Sequence, residues 1–296
     1  MLTEELMREV RRLEIHAKRR VDDLLTGEYH AAFKGQGIEF ADVREYQPGD
    51  DVRLIDWNVT ARAGKPFIKR FIEERQLTVI LCVDISASTA FGAVGRTKAR
   101  LAAEMAAVLS LVASRNNDRV GLITYADTIE SFLPPRKGRS TLLRVIRTCL
   151  DARPAGSGAA MRDALELLRT VVRQHAIIFL ISDFLLDARE LVPLKRSLQM
   201  ASHRHEVIAL RTSDPRELEL PSAGLMRFRD PETGQSVLID TSSRSVRRNF
   251  EAATTRQRDT VTHALRSARV DCIDASTASA FGRELARYFR LREKRR

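Results

Sequence analysis

The rhythm of hydrophobic and polar positions changes at residue 77. Upstream, Leu2, Leu6, Val10, Leu13, Ala17, Val21 and Leu24 recur near the 3.6-residue period. That spacing predicts an amphipathic helix over residues 1–27, with Gly27 as its stop. Residues 28–76 carry turn signals at Gly35–Gly37, Pro48–Gly49 and Gly64–Pro66, separated by short alternating stretches such as KPFIKRFIEE. They read as an irregular or β-rich leader. From residue 77 strand and helix patterns alternate. LTVILCVDIS, DRVGLITYAD, AIIFLISDF and HEVIALRTS are apolar runs of strand length, and TIESFLPP reads as an edge strand because of its prolines. Between them, TKARLAAEMAAVLSLVASRN, STLLRVIRTCLDA, MRDALELLRTVVRQ and ELVPLKRSLQMASHR have helical periodicity. The pattern predicts a doubly wound, mainly parallel, Rossmann-like α/β sheet. A β-hairpin insertion near 225–241, turning at DPETG, precedes a long polar-faced helix, a short last strand and a basic closing helix. The chain thus divides into a leader, 1–76, and a main α/β domain, 77–296.

Composition narrows the class. At 44% hydrophobic and 30% charged residues the chain is a globular protein with enough length for a substantial core. Cys82, Cys149 and Cys272 are odd in number and far apart in apolar segments, which indicates reduced thiols and neither a disulfide framework nor a zinc site. The amino terminus has no apolar signal-peptide core, and no apolar run approaches the roughly 20 residues that span a bilayer. The expected location is cytoplasmic, with membrane-peripheral contact left open. The net charge of +11 comes from basic residues spread along the chain, densest in the terminal RELARYFRLREKRR. Solvated helix faces account for most of it, and acidic protein partners, nucleic acid or lipid headgroups are the further readings.

The candidate chemistry sits at strand ends, where open α/β sheets bind ligands. The first buried strand ends in Asp84, followed on alternate positions by Ser86 and Ser88, and a later one ends in Asp183. If the two strands are neighbours, both carboxylates face one crevice. Acids with neutral hydroxyls, and no thiol or imidazole, suit a hard cation such as Mg²⁺, with Mn²⁺ or Ca²⁺ as alternatives. Local capping is the competing role for Ser86, Ser88 and Asp183.

VDISAS resembles the Asp-x-Ser-x-Ser signature of the von Willebrand factor A-type domain, where it forms a metal-ion-dependent adhesion site. ISDF is similar to the later strand end that supplies a further acid. The leader GIEFADVREYQPGDDVRLIDWNVTARAGKPFIKRFIEE and the later RFRDPETGQSVLID resemble the bacterial domain of unknown function number fifty-eight, which joins such a leader to a von Willebrand A-like domain. The likeness covers about residues 20–250. It implies a non-enzymatic, metal-assisted protein-binding module with Asp84, Ser86, Ser88 and Asp183 at its site. It also implies an acidic partner residue and partnership with a MoxR-type AAA+ ATPase in chaperone-like assembly or cofactor insertion. One departure concerns the loop GSGAAMRDAL, which places Ala159 where the family pattern has a threonine; Ser157 is the substitute hydroxyl.

Rival chemistries lack their motifs. No G-x-S-x-G elbow or complete phosphate-binding loop occurs, and FGAVGRTK is too short in spacing and reads as a helix start. The histidines, including His203 and His205, read as surface residues, and Trp57 reads as packing against the domain, with a partner surface as its other role. A metal-dependent phosphodiesterase would need further acids, which Asp50, Asp51 and Asp56 would supply only by folding over the crevice. The rival functional class is a basic adaptor for nucleic acid or membrane surfaces without a working metal site.

Overall fold

The computed structural model describes residues 8, 11–13, 17, 23–33, 39–72, 76–93, 95–186, 188–231 and 233–295. Most of the expected helix over 1–27, and the turn at Gly35–Gly37, lie outside them. Helix α1 (Asp23–Phe33) runs through Gly27, so that glycine is not a stop. Its aromatic face explains why: Tyr29 and Phe33 are buried and extend the apolar surface a further turn. Strands β1 (Glu39–Glu45) and β2 (Phe67–Ile72) pair antiparallel, enclosing a 3₁₀ turn (Val52–Leu54) and helix α2 (Trp57–Ala63). Asp56 caps α2 through Asn58 N and Val59 N, and Gly64 ends it in the left-handed conformation. Arg44 clasps Asp50 with two hydrogen bonds, 2.9 and 2.7 Å, fixing the turn between them. Trp57 does not pack against the domain: it is 70% exposed.

The main sheet has six strands: β3 (Thr78–Asp84), β4 (Arg119–Tyr125), β5 (Ile129–Arg136), β6 (Ile177–Ser182), β7 (Glu206–Ser213) and β10 (Asp271–Ser276). Their order is β10-β7-β6-β3-β4-β5, parallel except for β5, which closes one edge antiparallel to β4. Alternation along β3 sends Val79, Leu81 and Val83 to one core and Ile80 and Cys82 to the other. Helices α3 (Lys98–Arg115), α4 (Arg139–Asp151), α9 (Gly282–Glu293) and α1 cover the first face. Helices α5 (Met161–Val171), α6 (Ala188–Arg204) and α8 (Arg244–Ser267) cover the second. This is the doubly wound arrangement that the apolar strand runs require. Strands β8 (Leu225–Arg229) and β9 (Ser236–Asp240) form the expected hairpin.

Two buried polar groups at the strand starts oppose each other in their response to pH. His205 is 5% exposed, contrary to the surface reading, and neither ring nitrogen has a hydrogen-bond partner among the described residues. Burial, with Arg204 and His175 nearby, depresses it to about 4. The folded imidazole is neutral, so its stabilising share is complete above the unfolded value of about 6.5 and is lost as pH falls toward 4. Asp118 accepts from Leu77 N and the Tyr29 hydroxyl, and burial lifts it to about 6 despite those bonds. Its share is complete below the unfolded value of about 3.9 and is lost as pH rises through 6. His205→Leu should remove the first effect alone. Urea unfolding should then show the variant gaining on the wild type between pH 7 and pH 4.5; an equal response of both proteins would refute the assignment.

Candidate functional site

Strands β3 and β6 are adjacent and parallel, so the ends of both strands reach the same crevice. Asp84, the last residue of β3, is almost wholly buried. Its Oδ1 accepts Ser86 N at 2.8 Å and its Oδ2 accepts the Ser182 hydroxyl at 2.7 Å. Burial pushes its carboxyl above the ordinary aspartate value, and the charge of Asp183 adds to this; the Ser182 and Ser86 bonds oppose both. Phe184, at φ 53°, turns the chain abruptly after β6. Asp183 Oδ1 then accepts Leu185 N at 3.1 Å, and its Oδ2 accepts the Ser88 hydroxyl at 2.7 Å.

Ser86 and Ser88 are buried, and their hydroxyl oxygens lie 3.1 Å apart. Adjacent ligands of an octahedral Mg²⁺, with bonds of roughly 2.0–2.1 Å, would stand about 2.9 Å apart. Ser88 donates its proton to Asp183, so across the 3.1 Å contact it accepts from Ser86 and keeps one lone pair for a cation. The donor set therefore fits a hard ion on two hydroxyls, with Asp84 and Asp183 behind them. Among the described residues no group of three or more His, Cys, Asp or Glu side chains is gathered for a metal. Asp50, Asp51 and Asp56 belong to the leader hairpin, where Asp50 is bound to Arg44 and Asp51 and Asp56 cap local turns.

The third loop passes over the same crevice with its backbone. Ala155 N donates to Ile85 O and Ala87 N to Gly156 O, stitching it to the Asp84 loop. Gly156 and Gly158 have φ of 73° and 74°, and a Cβ on Gly158 would lie 3.3 Å from Asp84 Oδ2. A side chain at either position would meet both backbone strain and a neighbour. Ser157 is exposed and points elsewhere: its hydroxyl and its N–H both donate to Asp127 Oδ1 at 2.7 Å. Ala159 is exposed and has no hydroxyl to offer.

Sequence reasoning missed Lys98, Glu217 and Asp214. Lys98, the first residue of α3, is 0% exposed, and its ammonium donates to Asp183 Oδ2 at 2.6 Å and to Glu217. Burial alone would lower its pKa, but the charges of Asp183 and Glu217 outweigh this and hold it above the ordinary lysine value. Glu217 and Asp214 form a reciprocal capping box around the short helix α7 (Pro215–Leu218), and Asp214 Oδ2 also accepts Ala93 N and the Thr277 hydroxyl. Asp214 is wholly buried, yet these bonds and the Lys98 charge overcome desolvation and lower its pKa. The D-x-x-E capping pattern was legible in DPRE. A lysine at the positive end of a helix, against the macrodipole, was the available sign for Lys98.

A groove of about 630 Å³ adjoins the crevice at Ile85 and Ala155, running between β5 and α4. Arg144, Arg147 and Arg153 line it with Glu130 and Asp151. Arg147 is paired with Asp151 at 3.3 Å, whereas Arg144 and Arg153 have no acidic partner among the described residues.

A doubly wound sheet with Asp-x-Ser-x-Ser closing one strand and an acid closing its neighbour defines a von Willebrand factor A-like protein. The chain belongs to the family described as "Protein of unknown function DUF58", which matches residues 42–260. It is similar to the uncharacterized protein Rv1480 of Mycobacterium tuberculosis, 37% identical over 228 residues, 76% of this chain and 70% of that one. The uncharacterized protein MAV169 of Mycobacterium avium is 31% identical over 167 residues, 55% of this chain and 94% of that one. Among solved structures, the conserved hypothetical protein BatB of Bacteroides thetaiotaomicron aligns with TM-score 0.48 and 14% identity, over 74% of this chain and 99% of that one. The SpRpn10 VWA domain aligns with TM-score 0.39 and 11% identity, over 72% and 95%.

Proposed function

We propose that the protein is a non-enzymatic protein-interaction module that recognises an acidic residue of its partner at the strand-end crevice. Mg²⁺ would be held by the Ser86 and Ser88 hydroxyls, with Asp84 and Asp183 as its acidic backing. Bound there, the ion supplies a positive centre for the partner's carboxylate. The observation that carries this reading is the 3.1 Å spacing of the two buried hydroxyls beside two acids at adjoining strand ends. The arginine-lined groove leading to the crevice supports an acidic ligand, since Arg144 and Arg153 are available to carboxylates. The partner is a MoxR-type AAA+ ATPase, with the module acting as its adaptor in chaperone-like assembly or cofactor insertion. The setting is the cytoplasm, in keeping with three free cysteines. Among the described residues no helix is long and apolar enough to cross a membrane.

Equilibrium binding to a MoxR-type ATPase from the same organism tests the proposal. EDTA, or Asp84→Ala, should weaken binding at least tenfold at low and at high salt alike. Binding that ignores EDTA but falls steeply with salt would instead support a basic adaptor for nucleic acid or membrane surfaces, since that slope reports released counterions.

A further inference from the structure

We infer that Lys98 is the residue that sets how tightly the crevice binds a divalent ion, by holding a competing positive charge on Asp183. The inference rests on the metal-assisted reading of the Ser86–Ser88 pair. Asp183 Oδ2 receives two donors, the Ser88 hydroxyl at 2.7 Å and the Lys98 ammonium at 2.6 Å. A cation on the two hydroxyls and the lysine charge are therefore separated by little more than one carboxylate oxygen. At that distance, away from water, like charges repel strongly.

The ammonium has nowhere else to go. Lys98 is fully buried, its second acidic contact is Glu217, and Glu217 is itself fixed by the capping box with Asp214. Its position at the start of an 18-residue helix places it at the positive end of the helix dipole, where a buried cation is otherwise unfavourable. The acids of the crevice are what retain it. Without Lys98, buried Asp183 and half-buried Glu217 would face each other as like charges, and a divalent ion would become the natural way to neutralise them. The wild-type crevice is thus pre-formed by its own cation and admits a second one reluctantly. Weak ion binding by the free protein leaves the ion dependent on the partner's carboxylate as an additional ligand.

Calorimetric titration with Mg²⁺ tests this on the full chain. Lys98→Met should bind Mg²⁺ at least tenfold more tightly than the wild type, and Mg²⁺ should raise its melting temperature more. Adding Ser86→Ala and Ser88→Ala should remove the gain. If Lys98→Met does not fold, Lys98→Met/Glu217→Gln removes one acid with the cation and should shift affinity in the same direction by a smaller factor. A folded Lys98 variant that binds no tighter, while Ser86→Ala/Ser88→Ala still weakens the wild type, would overturn the role of Lys98 and leave the metal reading intact. No Mg²⁺ binding by any of these proteins would overturn both.

Discussion

Asp183→Ala should destabilise the protein by about 3–5 kcal/mol, the range for removing one partner of a buried ion pair. The Lys98 ammonium would remain wholly buried with Glu217 as its one remaining acid, and the Ser88 hydroxyl and Leu185 N–H would each lose an acceptor. Much of that cost comes from the stranded charge and little from the net worth of the pair. Removing the charge as well should recover stability: Asp183→Ala/Lys98→Met should be more stable than Asp183→Ala alone. Urea unfolding of the wild type, both single variants and the double variant gives the coupling directly. A loss below about 1 kcal/mol in Asp183→Ala would mean that the pair is not buried as described.

Phe289→Ala should cost a similar amount, about 3–5 kcal/mol, for a different reason. Phe289 on α9 is fully buried and meets Tyr29 and Phe33 of α1 edge-on, with ring centroids 5.7 and 5.4 Å apart. Phe33 in turn reaches Phe179 of the central sheet at 6.3 Å, so one aromatic chain ties α1 and α9 to the core. Arg292 reinforces the join: its guanidinium lies 4.9 Å over the Phe33 ring and donates to Ala32 O. Truncation at Phe289 leaves a cavity between three elements that cannot all close on it. The expected signature is a lowered urea midpoint with protease cleavage moving into the α1 region. Cleavage unchanged and a loss under 1 kcal/mol would show that α1 docks by other contacts.

The sheet was legible because its strands are apolar on both faces, and helices between such strands leave few topologies. LTVILCV and AIIFLI became β3 and β6, and their adjacency placed Asp84 and Asp183 together as the strand-end rule requires. The prolines at the end of TIESFLPP marked the antiparallel edge correctly. Gly27 misled because a glycine within a helix is tolerated when packing continues beyond it, as Tyr29 and Phe33 show. Trp57 misled because an isolated aromatic in a short hairpin has no periodicity to say which side is core. His205 lies between a helix and a buried strand, so its burial depended on how the two pack and not on its own polarity. Lys98 was hidden most thoroughly. Its partners Asp183 and Glu217 lie 85 and 119 residues away, and no local pattern announces a contact over that distance. The side-chain direction of Ser157 was likewise settled by Asp127, from a different strand end.

In the proposed site the Ser86 and Ser88 hydroxyls bind a divalent ion directly at the mouth of the sheet. Anomalous scattering from crystals soaked in Mn²⁺ tests it most directly, because the ion's position is read without reference to activity or partner. A single strong peak bonded to both hydroxyl oxygens, beside Asp84 and Asp183 and absent in Ser86→Ala/Ser88→Ala crystals, is the predicted result. No peak at that position in fully soaked crystals of either the wild type or Lys98→Met would contradict it.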